Sequence, residues 1–435
     1  MVILMKILQV VLALSILILI HELGHFAFAK LFKIRVSKFY LFFDIGGKAL
    51  FKFKPKNSET EYGIGWLPLG GYCKIEGMID ESMDTESLKK EPEEWEFRSK
   101  PAWQRLLVMA GGILFNFILA IILFTSILSI WGEGYYKNEN QAIYTNELAQ
   151  ELGFQNGDKI LRLDDWVPED FGMLQAELAR RSPKTITVQR GKDTIDIYLD
   201  HKYIADIIKV PYMFQPALPF IVDTIPPTSA NADCPLVHGD KIINVADKQV
   251  SWVQDSRKAI EGMRDTIVPV QYIRDGDTAS CMLSVDSSSL LGIFTKGPEV
   301  EYHKYNVLSA IPAGFRMTFE NIGGYVQDLK LVFTPSTEAY KSVGSFVALG
   351  EIFPGNWNIF IFIQRLAILS IMLGVMNLLP IPALDGGHIV FTLYEMITRK
   401  KPSIKVLTIA QIIGMVLLTM LMFLAFSNDI GRLLR

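Results

Sequence analysis

The sequence predicts a polytopic α-helical membrane protein, with four transmembrane helices arranged as two pairs around a large extramembrane insert. Three observations predict it. Half of the 435 residues are hydrophobic and only 20% are charged. The apolar residues gather into four runs, each near or above the ~20 residues that a bilayer crossing requires: Val2 to about Ala29, Leu106 to Trp131, Asn358 to about Leu384, and Ile404 to Ser427. Between the second and third runs lie more than 200 residues of ordinary soluble composition.

The order of elements follows. Residues 1–30 form the first membrane helix, 31–100 a cytoplasmic or membrane-dipping β region with a polar loop, and 101–131 the second helix. Residues 132–215 and 216–300 form two β-rich domains, and 301–356 an amphipathic helical region. Residues 357–396 carry the third helix, and 397–435 the fourth with a C-terminal tail. An Ala27-Phe28-Ala29 triplet has the form of a signal-peptidase site, but the run before it is too long and its n-region holds one cation, Lys6. Uncleaved retention is expected. Lys30 to Lys56 contains eight Lys or Arg against one acid, Asp44, and Arg399, Lys400, Lys401 and Lys405 precede the last helix. By the positive-inside rule, residues 30–100 and 397–404 face the cytoplasm, and the termini and insert face outward.

The first run ends in His21-Glu22-Leu23-Gly24-His25. Residues i and i+4 share one helix face, so two imidazoles can reach one ion with Glu22 beside it. Zinc suits two neutral histidines, an oxygen ligand and an open position for water. Glu22 then acts as the base that takes the water proton. A helix end whose polar residues merely face the interface is the plainer reading, but ionisable residues in an apolar run are costly and usually functional. A third ligand is needed. The third run ends Asn377-Leu378-Leu379-Pro380-Ile381-Pro382-Ala383-Leu384-Asp385-Gly386-Gly387-His388. Asp385 there is a turn residue, a helix N-cap or a metal ligand. The prolines break the helix just before it, and irregular backbone at this depth must be buried in protein or line a cavity. In the topology above both His25 and Asp385 lie at cytoplasmic helix ends and can meet. His388 is expected to support the site.

These residues resemble the site-2 protease family of intramembrane zinc metalloproteases, of the RseP type. HELGH at 21–25 and NLLPIPALDGG at 377–387 carry the resemblance, joined by PLGGY at 68–72 and Gly112-Ile113-Leu114-Phe115-Asn116-Phe117. The resemblance implies that His21, His25 and Asp385 are the zinc ligands and Glu22 the catalytic base. It implies that Asn377 and Asn116 organise the site or hold substrate backbone. The chain departs from the family at Ile113, where a proline is common, at Met372, where some members carry asparagine, and at Lys341–Ser345.

Within the insert, Leu152–Ile160 echoes Pro235–Ile242, and the Gly-Asp-Lys-Ile tetrapeptide at 157–160 recurs 82 positions later. A repeat of this length reads as two copies of one small β-rich unit. Ordinary Gly-Asp turns are the alternative; the resemblance implies tandem PDZ domains. Such domains add a strand to a sheet edge or act as shields, and here they are expected to exclude substrates with bulky ectodomains. Phe39–Phe53 and Glu61–Ile75 alternate as β-hairpin structure, which the resemblance places as a sheet dipping into the membrane. Residues 76–100 are expected to form a mobile loop. Cys234 and Cys281 permit one disulfide, and three free thiols are at least as expected.

The partners expected are single-pass membrane substrates and the lipid bilayer of a bacterial inner membrane, with the insert in the periplasm. A net charge of −3 and the absence of any basic-aromatic patch give no sign of nucleic acid. The protein is expected to act as a monomer. A silent scaffold and a metal transporter are the competing functions. An intact Glu22 argues against the first, and four helices without an intramembrane repeat against the second.

Overall fold

The computed structural model describes residues 1–78 and 91–434. The chain divides into two compact units, Met1–Glu133 with Lys304–Arg435, and Gly134–His303.

Four helices of the first unit are long and apolar enough to cross a membrane. Helix α1 (Val2–Leu31) is an aliphatic run without proline, and Pro101 sets the start of α2 (Ala102–Trp131). Four short helices lie in the second unit: α3 (Glu147–Glu151), α4 (Leu174–Arg181), α5 (Ile204–Lys209) and α6 (Val253–Ala259). The first unit resumes with α7 (Val307–Val332), α8 (Phe346–Glu351), α9 (Ile359–Leu378), α10 (Asp385–Thr398) and α11 (Ile404–Leu433). Helix α2 is central and touches α1, α7, α9 and α10. Small residues set the closest approaches, because between apolar helices in lipid association relies on packing. A Cβ built on Gly24 would collide with the carbonyl of Gly111, so α1 and α2 cross backbone against backbone. Helix α7 lays Ala310, Ala313 and Gly314 against Leu128 and Thr125 of α2. Helix α11 exposes most of its apolar surface, and two of its contacts with the rest stand out. Gly414 lies against the Pro382 carbonyl, and Asn428 donates to the carbonyls of Tyr340 and Val343 at 2.9 Å each.

Strands β1 (Val36–Phe43), β2 (Ala49–Phe53), β3 (Glu61–Gly65) and β4 (Leu67–Ile75) form one sheet in the order β2-β3-β1-β4. This corrects the expectation of simple hairpins: β1 pairs parallel with β3 and antiparallel with β4, and β2 pairs with β3. The reason is burial. Val36 and Tyr40 are nearly inaccessible and fit a central strand, whereas Leu50, Phe51 and Phe53 are more than half exposed and fit an edge. The mobile loop expected over 76–100 is also corrected in part. Its residues 79–90 lie outside the described ones, but Phe97 is buried and donates its N–H to the Glu76 carbonyl at 2.8 Å. The Arg35 N–H is bonded to Trp95 O at 3.0 Å, so this end of the segment is pinned to the sheet.

The second unit contains the same construction twice. Lys159–Leu163, Thr185–Arg190 and Asp193–Tyr198 form one antiparallel sheet, and Lys241–Val245, Lys248–Gln249, Thr266–Arg274 and Asp277–Val285 form the other. Each Gly-Asp turn carries one clamp. Asp158 accepts from Arg190 Nε and Nη2 at 2.8 Å each, while Arg190 also donates to the Gly153 carbonyl at 2.8 Å. Asp240 accepts from Arg274 at 2.8 and 2.7 Å, and Arg274 donates to Pro235 O at 2.8 Å. Gly153 and Pro235 are themselves 82 positions apart, so the echo extends from sequence to hydrogen bonding. All three cysteines are free thiols, with Cys234 and Cys281 packed on the core of the second repeat.

The Arg274 guanidinium holds the carboxyl of Asp240 below the usual carboxylate range. A depressed folded-state value gives stability that is complete above the unfolded value of ~3.9 and is lost as pH falls through the folded one. Asp240→Asn is therefore expected to cost about 1–3 kcal/mol at pH 7, the range for stripping a buried group of its bonds. Its denaturation midpoint is also expected to fall less steeply than that of the parent on acidification from pH 5 to 2, read by circular dichroism. Equal acid sensitivity in both proteins would refute the clamp's contribution.

Candidate metal centre

The first two donors come from one face of α1, where His21 and His25 are buried one turn apart. Each ring is oriented from α2. His25 Nδ1 lies 2.8 Å from the Val108 carbonyl, which only accepts, so Nδ1 carries the proton and Nε2 presents its lone pair. His21 Nδ1 lies 3.0 Å from the side-chain amide of Asn116. Oxygen and nitrogen of such an amide are assigned by the hydrogen-bond network. With the His21 lone pair on Nε2, the amide oxygen is the end that serves Nδ1–H. Ser370 of α9 donates to the Asn116 carbonyl at 2.7 Å and ties the third membrane helix to this support.

The third donor comes from the break between α9 and α10. Helix α9 ends at Leu378, the Pro-Ile-Pro segment turns, and Ala383 adopts φ +80° before α10 begins at Asp385. The N-cap of α10 is Leu384, with no side-chain cap bond, and Asp385 is the first helical residue. Its Oδ2 lies 3.2 Å from His21 Nε2 and 3.3 Å from His25 Nε2, and the two Nε2 atoms are 3.2 Å apart. Three lone-pair atoms thus form a nearly equilateral triangle. Asp385 Oδ2 is buried without a directed hydrogen bond. A tetrahedral ion with bonds of 2.0–2.1 Å separates its ligands by about 3.3–3.4 Å, so the observed edges fit zinc without movement. The floor is Gly112: a Cβ there would stand 2.5 Å from His25 Nε2 and 2.6 Å from His21 Cε1.

A cavity of about 700 Å³ opens from the triangle. Glu22, Asn377, His388, Gln411 and the strand segment Gly70–Ile75 line it. Among the described residues, only His21, His25 and Asp385 gather at metal-ligand spacing, so His388 lines the cavity without joining them. Asn377 Nδ2 lies 3.5 Å from His21 Nε2 and faces the cavity. Asn116 is fully buried against His21 and does not line the cavity. Sequence reading missed the Val108 carbonyl, a main-chain group that any residue supplies. It also missed Gln411, whose signal was present as a lone amide in an apolar run.

Comparison with known proteins gives this geometry its context. The profile of Peptidase family M50 matches residues 9–421. The chain is 28% identical over 450 residues to the regulator of sigma-E protease RseP of Escherichia coli, covering 97% of this chain and 98% of that one. It is 28% identical over 447 residues to the regulator of sigma E protease of Haemophilus influenzae, with the same coverage of 97% and 98%. A Rickettsia conorii protein, provisionally named a zinc metalloprotease, is 29% identical over 431 residues, 99% of each chain. With the profile spanning nearly all of the sequence, the chain belongs to peptidase family M50.

Proposed function

We propose that this zinc metalloprotease hydrolyses peptide bonds within membrane-spanning segments of other proteins, acting as a monomer in a bacterial inner membrane, at an ion held by His21, His25 and Asp385. The observation that carries the reading is the triangle of converging lone pairs with Asp385 Oδ2 buried and unsatisfied. An unpaired carboxylate oxygen in an apolar unit is costly unless a cation completes it.

When bound, zinc supplies a Lewis acid that polarises the substrate carbonyl and brings the pKa of water toward neutrality. Glu22 lines the cavity one residue from His21 and takes the proton of the attacking water, then passes it to the leaving amine. The Val108 carbonyl and Asn116 fix both imidazole tautomers, so the ligands need no reorganisation during turnover. Asn377 points an amide into the same space and is placed to hold substrate.

A transmembrane substrate arrives as a helix whose peptide groups are already bonded to one another, and it must unwind before attack. Strand β4 is the outer strand of its sheet, and its Gly70–Ile75 segment borders the cavity. A free strand edge offers a row of donors and acceptors to an added strand. We assign it to hold the unwound segment extended beside Glu22. The two β-rich repeats are assigned as PDZ domains that face the periplasm and exclude substrates with intact ectodomains.

Three measurements test this reading. Glu22→Gln is expected to keep full zinc and lower cleavage of a transmembrane substrate by 10²-fold or more, whereas Asp385→Ala is expected to lose zinc; a Glu22→Gln enzyme of normal rate would refute the base. Gly112→Ala puts a methyl group on the ligand rings and is expected to weaken zinc at least tenfold, the range seen when supporting contacts are disturbed; metal analysis under chelator competition reads it. Replacing 134–303 by a short linker is expected to permit cutting of unclipped substrates. Reduced cutting of those substrates would instead assign the insert to recruitment.

A further inference from the structure

Helix α11 carries little polarity between Ile404 and Phe426: Lys405 at its start, Thr408, Gln411 and Thr419. Both threonines are satisfied within the helix, Thr408 donating to Ile404 O at 2.9 Å and Thr419 to Met415 O at 2.8 Å. Gln411 is different. It is 4% exposed, and among the described residues its side-chain amide has no hydrogen-bond partner. It borders the catalytic cavity and also a smaller hollow of about 110 Å³ beneath the Pro382–Ala383 turn.

Its position is imposed rather than incidental. Leu407, Gln411 and Gly414 follow the i, i+4, i+7 spacing of one helix face. The last of these is pressed against the Pro382 carbonyl, three residues before Asp385. That contact leaves no room for a side chain at 414 and sets Gln411 one turn away, at the level of the ligand-bearing segment. An amide seven residues into an apolar helix is too short to reach an aqueous interface, and a buried amide without partners is unfavourable in this setting. The chain keeps one on the lining of the cavity that the Gly70–Ile75 segment of β4 also borders.

We propose that the side-chain amide of Gln411 binds the main chain of the substrate next to the bond being cut, donating to a peptide carbonyl and accepting from a peptide N–H. A helix that unwinds loses its internal bonds, and the cavity must replace them from both sides. The edge of β4 serves one side of the extended segment and Gln411 the other. The ligand class is a peptide backbone, recognised without regard to side chain. This rests on the hydrolase reading given above, so its test must fail separately from that reading.

The full-length enzyme in liposomes is assayed with a synthetic single-span peptide of leucine and alanine bearing one central Gly-Pro break. A matched ester series replaces one backbone N–H at a time near the cut. Gln411→Leu and the closer shape mimic Gln411→Met are compared with the parent, and Glu22→Gln serves as the inactive control. We expect both Gln411 variants to lose tenfold or more in kcat/KM, since one hydrogen bond in a desolvated site is worth about tenfold and each variant removes two. Zinc content is expected to be full and thermal midpoints unchanged or raised. One ester position should cost the parent about tenfold and cost the variants nothing further. Parental kcat/KM in both variants overturns the proposal, as does an ester penalty that is equal in parent and variants, or a loss of activity that tracks loss of zinc. If Glu22→Gln cuts like the parent, the hydrolase reading fails instead.

Discussion

The closure of one triangle depends on how near two backbones can come. His21 and His25 sit on α1, their supports Val108 and Asn116 sit on α2, and the imidazole rings fill the gap between the helices. That gap is set where Gly24 meets Gly111, and Gly112 leaves the space in which the rings stand. A side chain at any of the three would push α2 outward and break the ring supports. Ligand chemistry therefore rests on van der Waals contact at a helix crossing. In lipid, where apolar side chains gain little by leaving the solvent, close packing of small residues is the available source of such precision.

The polar groups of the membrane unit sort into two sets on this scaffold. Most are answered locally. His25 meets Val108 O, Ser370 meets Asn116 O, and Gln9 donates to Pro354 O at 2.8 Å. Asp385 Oδ2 is buried without a directed hydrogen bond and borders the cavity that Gln411 also lines, whereas among the described residues Gln9 Oε1 and Arg365 Nε are buried without partners away from it. Unsatisfied groups in an apolar interior are expensive, and one that borders a cavity is placed to take its partner from outside. Arg105 and Glu395, paired at 2.5 Å between α2 and α10, show the contrasting case of charges neutralised within the fold.

Much of this was legible in the residues because the bilayer simplifies the code. Four apolar runs correspond to the four helices long and apolar enough to cross a membrane, and the HELGH spacing sets two histidines one turn apart on one helix face. The local residues leave turn, cap and ligand open for Asp385, and it was the resemblance that named it a ligand. Its Oδ2 lies 3.2 Å from His21 Nε2 and 3.3 Å from His25 Nε2, the spacing that a shared ion requires. The sheet was less legible. Alternation announces strands but not their neighbours, and the parallel pairing of β1 with β3 follows from which strand must be buried on both edges. The Gly-Asp echo was visible, whereas the arginines that complete its clamps, Arg190 and Arg274, are 84 positions apart and fall outside the 82-residue register.

The same physics bears on why a protease would place its metal at the end of a membrane helix. A substrate segment in lipid cannot leave its peptide groups unbonded, so unwinding is opposed by several kcal/mol for each group exposed. Water around the cavity lowers that cost, but water also weakens the electrostatics that activate the attacking oxygen. On the proposed function a strand edge would resolve the conflict, exchanging the substrate's internal bonds for intermolecular ones without filling the cavity with solvent. The glycines at 70 and 71 suit such an edge: a Cβ on either would strike Phe43, Ile18 or the Tyr40 carbonyl, so the strand lies flat against its neighbours while its outer side borders the cavity. The flatness that lets β4 pack against α1 and β1 is, on the proposed function, the same property that would let a substrate strand approach it.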